Sequence, residues 1–376
     1  MINKIAIIIV TFNGSKWIEK CLASVFKTTP LHSHPYQGGE TGGVSVIVVD
    51  NASDDNSADI ARNFKDEYGR SVGLIQLKEN TGFVGGNNVG IKHAIKFGCD
   101  AVILLNQDTE VEPDWLDELV KVADSQDVGI AQAMMLLGNE RDLINNIGNA
   151  MHYLGFGFVK HYREKANQWL NRVEPLEIGY ASGAAMLIKR EVLEKISPPA
   201  CRALSNDWGA GDSGGEGVFD EKFFAYHEDL DLCWRARLAG YKIMLAPKAI
   251  VYHYYEFHRN KEMFYWTEKN RWACLLQNYQ LGTLLILGPM LFIIELMMIL
   301  YSTASGWLWY KLKSYVWILK NMPAILSKRR EVQKMRCVSD KEVIKHMDSK
   351  LEFSEVSNPI LKHIVSPIVK LYYKII

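Results

Sequence analysis

Four times in its first 108 residues the chain runs through a short apolar stretch and then stops in a polar cluster. Lys4–Val10, Val44–Val49, Leu74–Leu77 and Ala101–Leu105 are too continuous for one-sided strands and too short for helices. Each is therefore predicted as a strand buried on both faces. Helices fit the intervals: Ser15 is placed to cap one through Phe26 with Trp17, Leu22 and Val25 inward, Asp50–Ser57 opens a second, and a third runs to Phe97. A loop rich in Gly, His and Pro covers 30–43. This β-α-β-α succession predicts an α/β fold, an open and mostly parallel sheet flanked by helices. Ligands of such sheets bind beyond the carboxyl ends of the strands. There lie Thr11–Asn13, Asp50–Asn51, Asn80–Gly82 and Asn106–Asp108. One such cluster would be turn chemistry; four on one edge predict a nucleotide site. The glycines at 82, 85, 86 and 90 match neither a dinucleotide fingerprint nor a P-loop.

At 376 residues, 48% hydrophobic and 23% charged, the chain has an ordinary globular composition and room for one large domain with an appendage. Its zero net charge hides an asymmetry. From Lys311 onward there are 14 Lys and Arg against 6 Asp and Glu, which leaves residues 1–310 at −8. An acidic body with a basic tail suits a protein that holds cations and rests on an anionic surface, and no nucleic-acid partner is expected. Six cysteines without CxxC spacing predict reduced thiols in a cytosolic compartment. The chain enters a strand at once, with no n-region or cleavage site, so no signal peptide is expected.

His227-Glu228-Asp229-Leu230-Asp231 gathers three carboxylates and a histidine into five residues, then continues as an amphipathic run to Gly240-Tyr241. Carboxylates this dense repel one another unless a cation, a sugar hydroxyl or a proton needs them. A solvated helix N-terminus, favoured by the macrodipole, is the other reading. Asn106-Gln107-Asp108 ends a buried strand, and a helix starts at Trp115. A carboxylate there is placed to hold a hard divalent cation that neutralises a diphosphate, or else to form an Asx turn. Ser182-Gly183-Ala184 is either a ligand loop or a small-residue start to the strand at Met186–Ile188.

Taken in order, Val10–Asn13, Val48–Asp54, Asn80–Asn88, Leu104–Asp108, Ala181–Ala184 and His227–Arg235 resemble glycosyltransferase family 2, an inverting family of GT-A fold. The likeness spans roughly residues 1–255 and looks most like the bacterial rhamnosyltransferase-type branch, which builds O-antigen and other surface polysaccharides. It implies transfer of a sugar, rhamnose in that branch, from a nucleoside-diphosphate sugar donor to a lipid-linked or polysaccharide acceptor, with Mg2+ or Mn2+ as cofactor. Carried over by residue, it implies that Thr11, Asn13, Asp50 and Asn51 contact the nucleoside. Asn80, Gly82, Phe83 and Asn87 would line nucleotide and sugar. Asn106 stands where the family's DxD motif has its first Asp, which leaves Asp108 as the main carboxylate ligand. His253 matches a histidine that closes the metal site in many relatives, although a histidine near a strand end is often structural. The resemblance makes Asp229 the general base, with Glu228 its nearest competitor or an acceptor-orienting group, and sets Ser182 and Gly183 against sugar or acceptor. Asp231 is expected to pair with Arg235. Specificity would reside in pocket shape over 130–220, where no code is readable.

Between Leu281 and Tyr310 the only charge is Glu295. As helix, about thirty residues extend about 45 Å, more than one bilayer core and too little for two passes. Gly288-Pro289 and Ser302–Gly306 offer breaks. A single span would put the basic tail opposite the catalytic part, against the positive-inside tendency. A re-entrant or interfacial helical pair is therefore expected at the cytoplasmic face of the cell membrane, peripheral or monotopic. Lys328, Arg329, Arg330, Lys334 and Arg336 would then meet anionic lipid. From Pro359 to Ile376, apolar residues at helical spacing alternate with lysines, a pattern suited to lying on a membrane. A helical subdomain packed on the core, or two full passes, is the alternative. The expected division is a catalytic domain over 1–260 and a helical, membrane-associating region over 261–376. Two other functions stay open: a nucleotidyltransferase on a similar sheet, though no basic residue stands at the first strand end before Lys16, and a catalytically silent membrane-bound scaffold, against which Asp108 and Asp229 both stand.

Overall fold

The computed structural model describes residues 2–29, 43–67, 69–197, 217–255, 261–351 and 366–374. Residues 30–42 of the loop expected over 30–43, and the first part of the amphipathic stretch, 359–365, lie outside the described residues. In chain order the strands are β1 (Lys4–Thr11), β2 (Gly43–Asp50), β3 (Gly73–Gln76), β4 (Ala101–Leu105), β5 (Thr109–Val111), β6 (Val128–Leu137), β7 (Glu140–Asn146), β8 (Asn149–Met151), β9 (Gly157–Val159), β10 (Leu176–Glu177), β11 (Ala185–Lys189) and β12 (Lys242–His253). The helices are α1 (Ile18–Thr28), α2 (Ser57–Asn63), α3 (Gly82–Lys96), α4 (Trp115–Ala123), α5 (Asn167–Leu170), α6 (Arg190–Ile196), α7 (Glu228–Leu238), α8 (Lys261–Asn278), α9 (Leu281–Ala304), α10 (Leu308–Met335), α11 (Asp340–Ile344) and α12 (Ser366–Tyr373).

The four apolar runs are strands to within a residue of expectation, parallel and adjacent in the order β3-β2-β1-β4. Beyond β4 the sheet becomes mixed. β11 is antiparallel to both β4 and β6, β12 runs parallel to β6, and β10 closes the path. The reversal has a use. Because Ala185 at the start of β11 pairs with Leu105 at the end of β4, the Ser182–Ala184 loop lies on the same edge as Asn106. Likewise His253, at the end of β12, pairs with Thr109 of β5 and so comes beside Asp108.

The sheet is buried on both faces. Ala6 and Ile8 of β1 join the layer that includes α3, α6, α7, α8 and α9, whereas Ile5, Ile7 and Ile9 join the layer built with α1 and α4. This is why β1 reads as an unbroken apolar run. Two local expectations are corrected. α1 begins at Ile18, and Ser15 gives its backbone N–H to Asp55 at 3.0 Å instead of capping, because the chain turns at Gly14, whose carbonyl takes the N–H groups of Trp17 and Ile18. Trp17 faces Tyr254, stacked at 4.8 Å, and not the helix's inner side. α7 is not amphipathic: ten of its eleven residues are buried, since β12, α6, α8 and α11 all pack on it.

The C-terminal helices are tied to this body by charge. Arg271 of α8 pairs with Glu268 at 3.1 Å and with Glu295 of α9; Lys311 of α10 reaches Glu268 and lies 2.7 Å from Glu295. Tyr315 adds a hydroxyl to Glu295. Glu295, the lone charge in its apolar segment, is thus matched. Of the two expected breaks, α9 runs through Gly288-Pro289, and the chain turns at Ser305-Gly306, within the second. One face of α9 stays uncovered, as does a stripe on α10: Leu285, Phe292, Leu300, Trp309 and Leu319 are each about two-thirds exposed or more. Among the described residues α9 is the one helix long and apolar enough to cross a membrane.

Removing one member of a buried ion cluster strands its partners. Arg271→Met is expected to lower the unfolding free energy by about 3–5 kcal/mol in chemical denaturation. Arg62→Met, which breaks the exposed pair with Asp59, should leave the midpoint near that of the wild type.

Candidate functional site

The carboxyl edge of the parallel strands is a framework of amides. Asn51, after β2, donates to Asn80 Oδ1 at 3.0 Å and to the Gly82 carbonyl at 2.9 Å, and accepts from Thr81 N at 2.9 Å. Its side chain is spent joining two loops, as is that of Thr11, whose hydroxyl donates to Gln107 Oε1 at 2.6 Å. Asn13, at φ +49°, accepts from Asp54 N at 2.9 Å. Asn87 turns back to the Phe83 carbonyl at 2.9 Å, and Asn106 bonds through its N–H to the Ala184 carbonyl at 2.9 Å. Asp50 differs. It is buried at the end of β2, and its Oδ1 has no hydrogen-bond partner among the described residues. Asn80 is exposed beside it. Gly82 opens α3 at φ +72°, and a Cβ there would meet the Phe224 carbonyl at 2.4 Å.

On the far side of β4 lies a cavity of about 310 Å³, lined among others by Asn145, Asn146, Tyr180, Ser182, Tyr226, Glu228, Asp229 and His253. His253 Nδ1 is 3.0 Å from Asn145 Oδ1, while its Nε2 has no hydrogen-bond partner and lies 3.3 Å from Asp108 Oδ1. An unpartnered imidazole nitrogen and a carboxylate oxygen facing one point suit a divalent cation, Mn2+ or Mg2+. No group of three or more His, Cys, Asp or Glu side chains that could hold a metal ion occurs among the described residues. A cation here would rest on Asp108 and His253 and complete its shell from diphosphate and water.

The other flank is the start of α7. Asp229 keeps an edge on the cavity, and its carboxylate accepts the N–H groups of Leu230, at 2.8 Å, and Gly183. Burial raises its pKa above the usual carboxylate range, against those two hydrogen bonds. Glu228 is raised further, by burial and by Asp229, and its Oε2 has no partner. Asp231 faces away, buried 2.7 Å from Arg235 and 2.9 Å from Asn278, the i,i+4 pairing expected of it. His227 is held neutral by burial, its pKa pushed down to about 4, and its Nε2 faces the Gly155 carbonyl at 3.1 Å. Gly183 joins the two sides of the site. A Cβ on it would lie 2.6 Å from the ring of Phe83, so a larger residue there would have to push that ring aside.

The loop ahead of Asp229 is strained: Phe224, Tyr226 and His227 all adopt φ near +66°, rare for side chains of this size. α8 imposes the geometry. Asn270 Nδ2 donates to the carbonyls of Phe223 (3.2 Å), Ala225 (3.0 Å) and Tyr226 (2.7 Å), and Lys269 donates to that of Lys222. The sequence reading missed Asn270 and Lys269, and also Gln132, Asn145, Asn146 and Asn149. Gln132 alone left a signal, as the polar break in the apolar run Val128–Leu137.

The profile described as Glycosyl transferase family 2 matches residues 6–197, just over half of the chain. The chain is 23% identical over 240 residues to the low-salt glycan biosynthesis hexosyltransferase Agl10 of Haloferax volcanii, covering 63% of itself and 62% of that protein, so it spans under two-thirds of this relative's length. It is 25% identical over 271 residues to the N-acetylglucosaminyl-diphospho-decaprenol L-rhamnosyltransferase of Mycobacterium tuberculosis, covering 68% of itself and 77% of that protein. Among solved structures, the crystal structure of GalNAc-T7 with UDP, GalNAc and Mn2+ aligns with a TM-score of 0.52 at 17% identity, over 73% of this chain and 48% of that one, a likeness of fold.

If Asn270 holds the strained loop, Asn270→Leu leaves three carbonyls without their donor. It is expected to cost about 1–3 kcal/mol in denaturant unfolding. It should also lower kcat while nucleotide affinity stays near wild type, as titration calorimetry would show.

Proposed function

We propose, from the premise that this chain belongs to glycosyl transferase family 2, that it moves a sugar from a nucleoside-diphosphate donor to a lipid-linked or polysaccharide acceptor with inversion. Rhamnose is the sugar favoured by the likeness to a rhamnosyltransferase. One observation carries the reading: Asp229 and His253 line the same cavity, and Asp108 stands 3.3 Å from His253. A diphosphate gripped near Asp108 and a carboxylate across the cavity are the two flanks that inversion at an anomeric carbon requires. A cation bound at Asp108 and His253 would neutralise the charge that develops on the leaving diphosphate.

The residues divide the work. Asp50, with its unpartnered Oδ1 beside exposed Asn80, is placed to meet the nucleoside, while Thr11, Asn13, Asn51 and Asn87 stiffen the loops around it. Asp229 takes the acceptor hydroxyl's proton as that oxygen attacks. Glu228, the less acidic of the two, keeps its proton and donates a hydrogen bond to a sugar hydroxyl. Residues 1–260 then form the catalytic domain. Residues 261–376 rest on the cytoplasmic face of the membrane through the apolar stripes of α9 and α10, with the basic tail against anionic lipid.

Asp229→Asn is expected to lose about 10²–10⁴-fold in turnover yet still bind nucleoside diphosphate. Asp108→Ala should bind it poorly with Mn2+ present. A base with a raised pKa is protonated over more of the acid range, so the acid limb of kcat/KM should lie above the usual carboxylate pKa. Full turnover in Asp229→Asn would remove the assignment.

Membrane docking has its own check. Replacing Leu285 and Trp309 by Asp removes two apolar anchors of about 1.5–3 kcal/mol each. Co-sedimentation with anionic vesicles should fall at least tenfold, with donor binding unchanged.

A further inference from the structure

Asn145 and Asn146 are neighbours in β7, yet both line the cavity and both are buried. A regular strand forbids this, because successive side chains point to opposite faces. β7 is irregular at this point. Ile144 pairs with Leu136 and Asn146 with Met135, so Asn145 is the extra residue of a bulge. Bulges re-aim side chains, and here two amides turn to one side.

Each amide serves a different flank. Asn145 Oδ1 lies 3.0 Å from His253 Nδ1. A neutral imidazole carries one proton, and an acceptor at Nδ1 keeps it there, so the lone pair stays on Nε2, the nitrogen 3.3 Å from Asp108. Asn146 Oδ1 accepts from Gln132 Nε2 at 3.0 Å and from Gly148 N at 2.8 Å, and its Nδ2 donates to Asn149 Oδ1 at 2.6 Å. Gln132 Oε1 in turn accepts the Ser182 N–H at 2.8 Å, and the next residue, Gly183, gives its N–H to Asp229.

We propose that the bulged pair Asn145-Asn146 positions both flanks of the site: Asn145 by fixing the His253 tautomer that presents a lone pair beside Asp108, and Asn146 by holding, through Gln132, the Ser182-Gly183 loop against Asp229. In the roles proposed, each acts through another residue. The first half rests on the metal reading given above, but the tautomer can be read without a metal.

The test is 15N NMR of histidine-labelled, metal-free protein, combined with Mn2+ titration in the presence of a nucleoside diphosphate. In the wild type, His253 is expected to carry its proton on Nδ1. In Asn145→Leu it should shift to Nε2, and Mn2+ binding should weaken about 10–100-fold. Asn145→Asp keeps an acceptor and should retain both the tautomer and the binding, which separates positioning from loss of fold. Asn146→Ala should leave the tautomer and Mn2+ affinity as in the wild type. Its acid limb of kcat should move to higher pH, because Asp229 loses a hydrogen bond that favours its charged form. A proton on Nε2 in the wild type, or an unchanged tautomer and affinity in Asn145→Leu, overturns the Asn145 assignment. An unmoved acid limb in Asn146→Ala overturns the other. A wild type with the expected tautomer but no Mn2+ binding would defeat the metal reading and leave the tautomer assignment standing.

Discussion

Placing two buried carboxylates and a third at a cavity's edge within four residues is the constraint from which most of this structure follows. Unpaired, they would repel one another and lose their hydration, at a cost no helix dipole offsets. The protein treats each differently. Asp231 is neutralised by Arg235 and held by Asn278, Asp229 is given two backbone N–H groups, and Glu228 keeps its Oε2 without a partner. Only carboxyl groups whose charge is unsettled can exchange a proton or a hydrogen bond with a substrate.

That arrangement makes the C-terminal helices part of the site. Asn278 on Asp231, Asn270 and Lys269 on the loop before Asp229, and Arg271 on the Leu154 carbonyl all come from α8. α8 is in turn clamped to α9 and α10 through Glu268, Glu295 and Lys311. A left-handed run of Phe224, Tyr226 and His227 persists only where its surroundings over-determine it. The surroundings here are a helix far along the chain.

What the sequence disclosed, and what it withheld, follows from range. The four strands and the polar ends after them were legible because alternation, burial and turn chemistry are local. Asp108, His253, Ser182, Gly183 and Asp229 were singled out through resemblance, and the pairing of β11 with β4 and of β12 with β5 explains how residues so far apart in the chain come to one edge of the sheet. The roles of Asn51 and Thr11 were not, because an amide that binds a ligand and one that braces a loop look alike until their partners are known. The bulge in β7 was invisible for a stricter reason: it is a mismatch of register between two strands, and neither strand alone contains it. The strained loop carries no glycine, so the usual mark of positive φ was missing.

The charge asymmetry has a physical reading that joins these parts. A body at −8 would repel an anionic diphosphate unless the site supplied local positive charge, and an anionic membrane would repel the body in turn. A cation at Asp108 and His253 would answer the first problem within the cavity. The +8 balance from Lys311 onward would answer the second, and α10 carries part of it along with exposed Trp309 and Leu319. Lys311 is spent on Glu268 and Glu295, Arg329 on the Leu276 and Tyr279 carbonyls, and Arg336 on Asp340 and the Asn278 carbonyl. These three therefore secure the fold, Arg329 and Arg336 instead of meeting lipid as expected, while Lys320, Arg330 and Lys334 stay exposed. One helix thus holds α8, and with it the loop before Asp229, in place at its start and carries exposed positive charge further along.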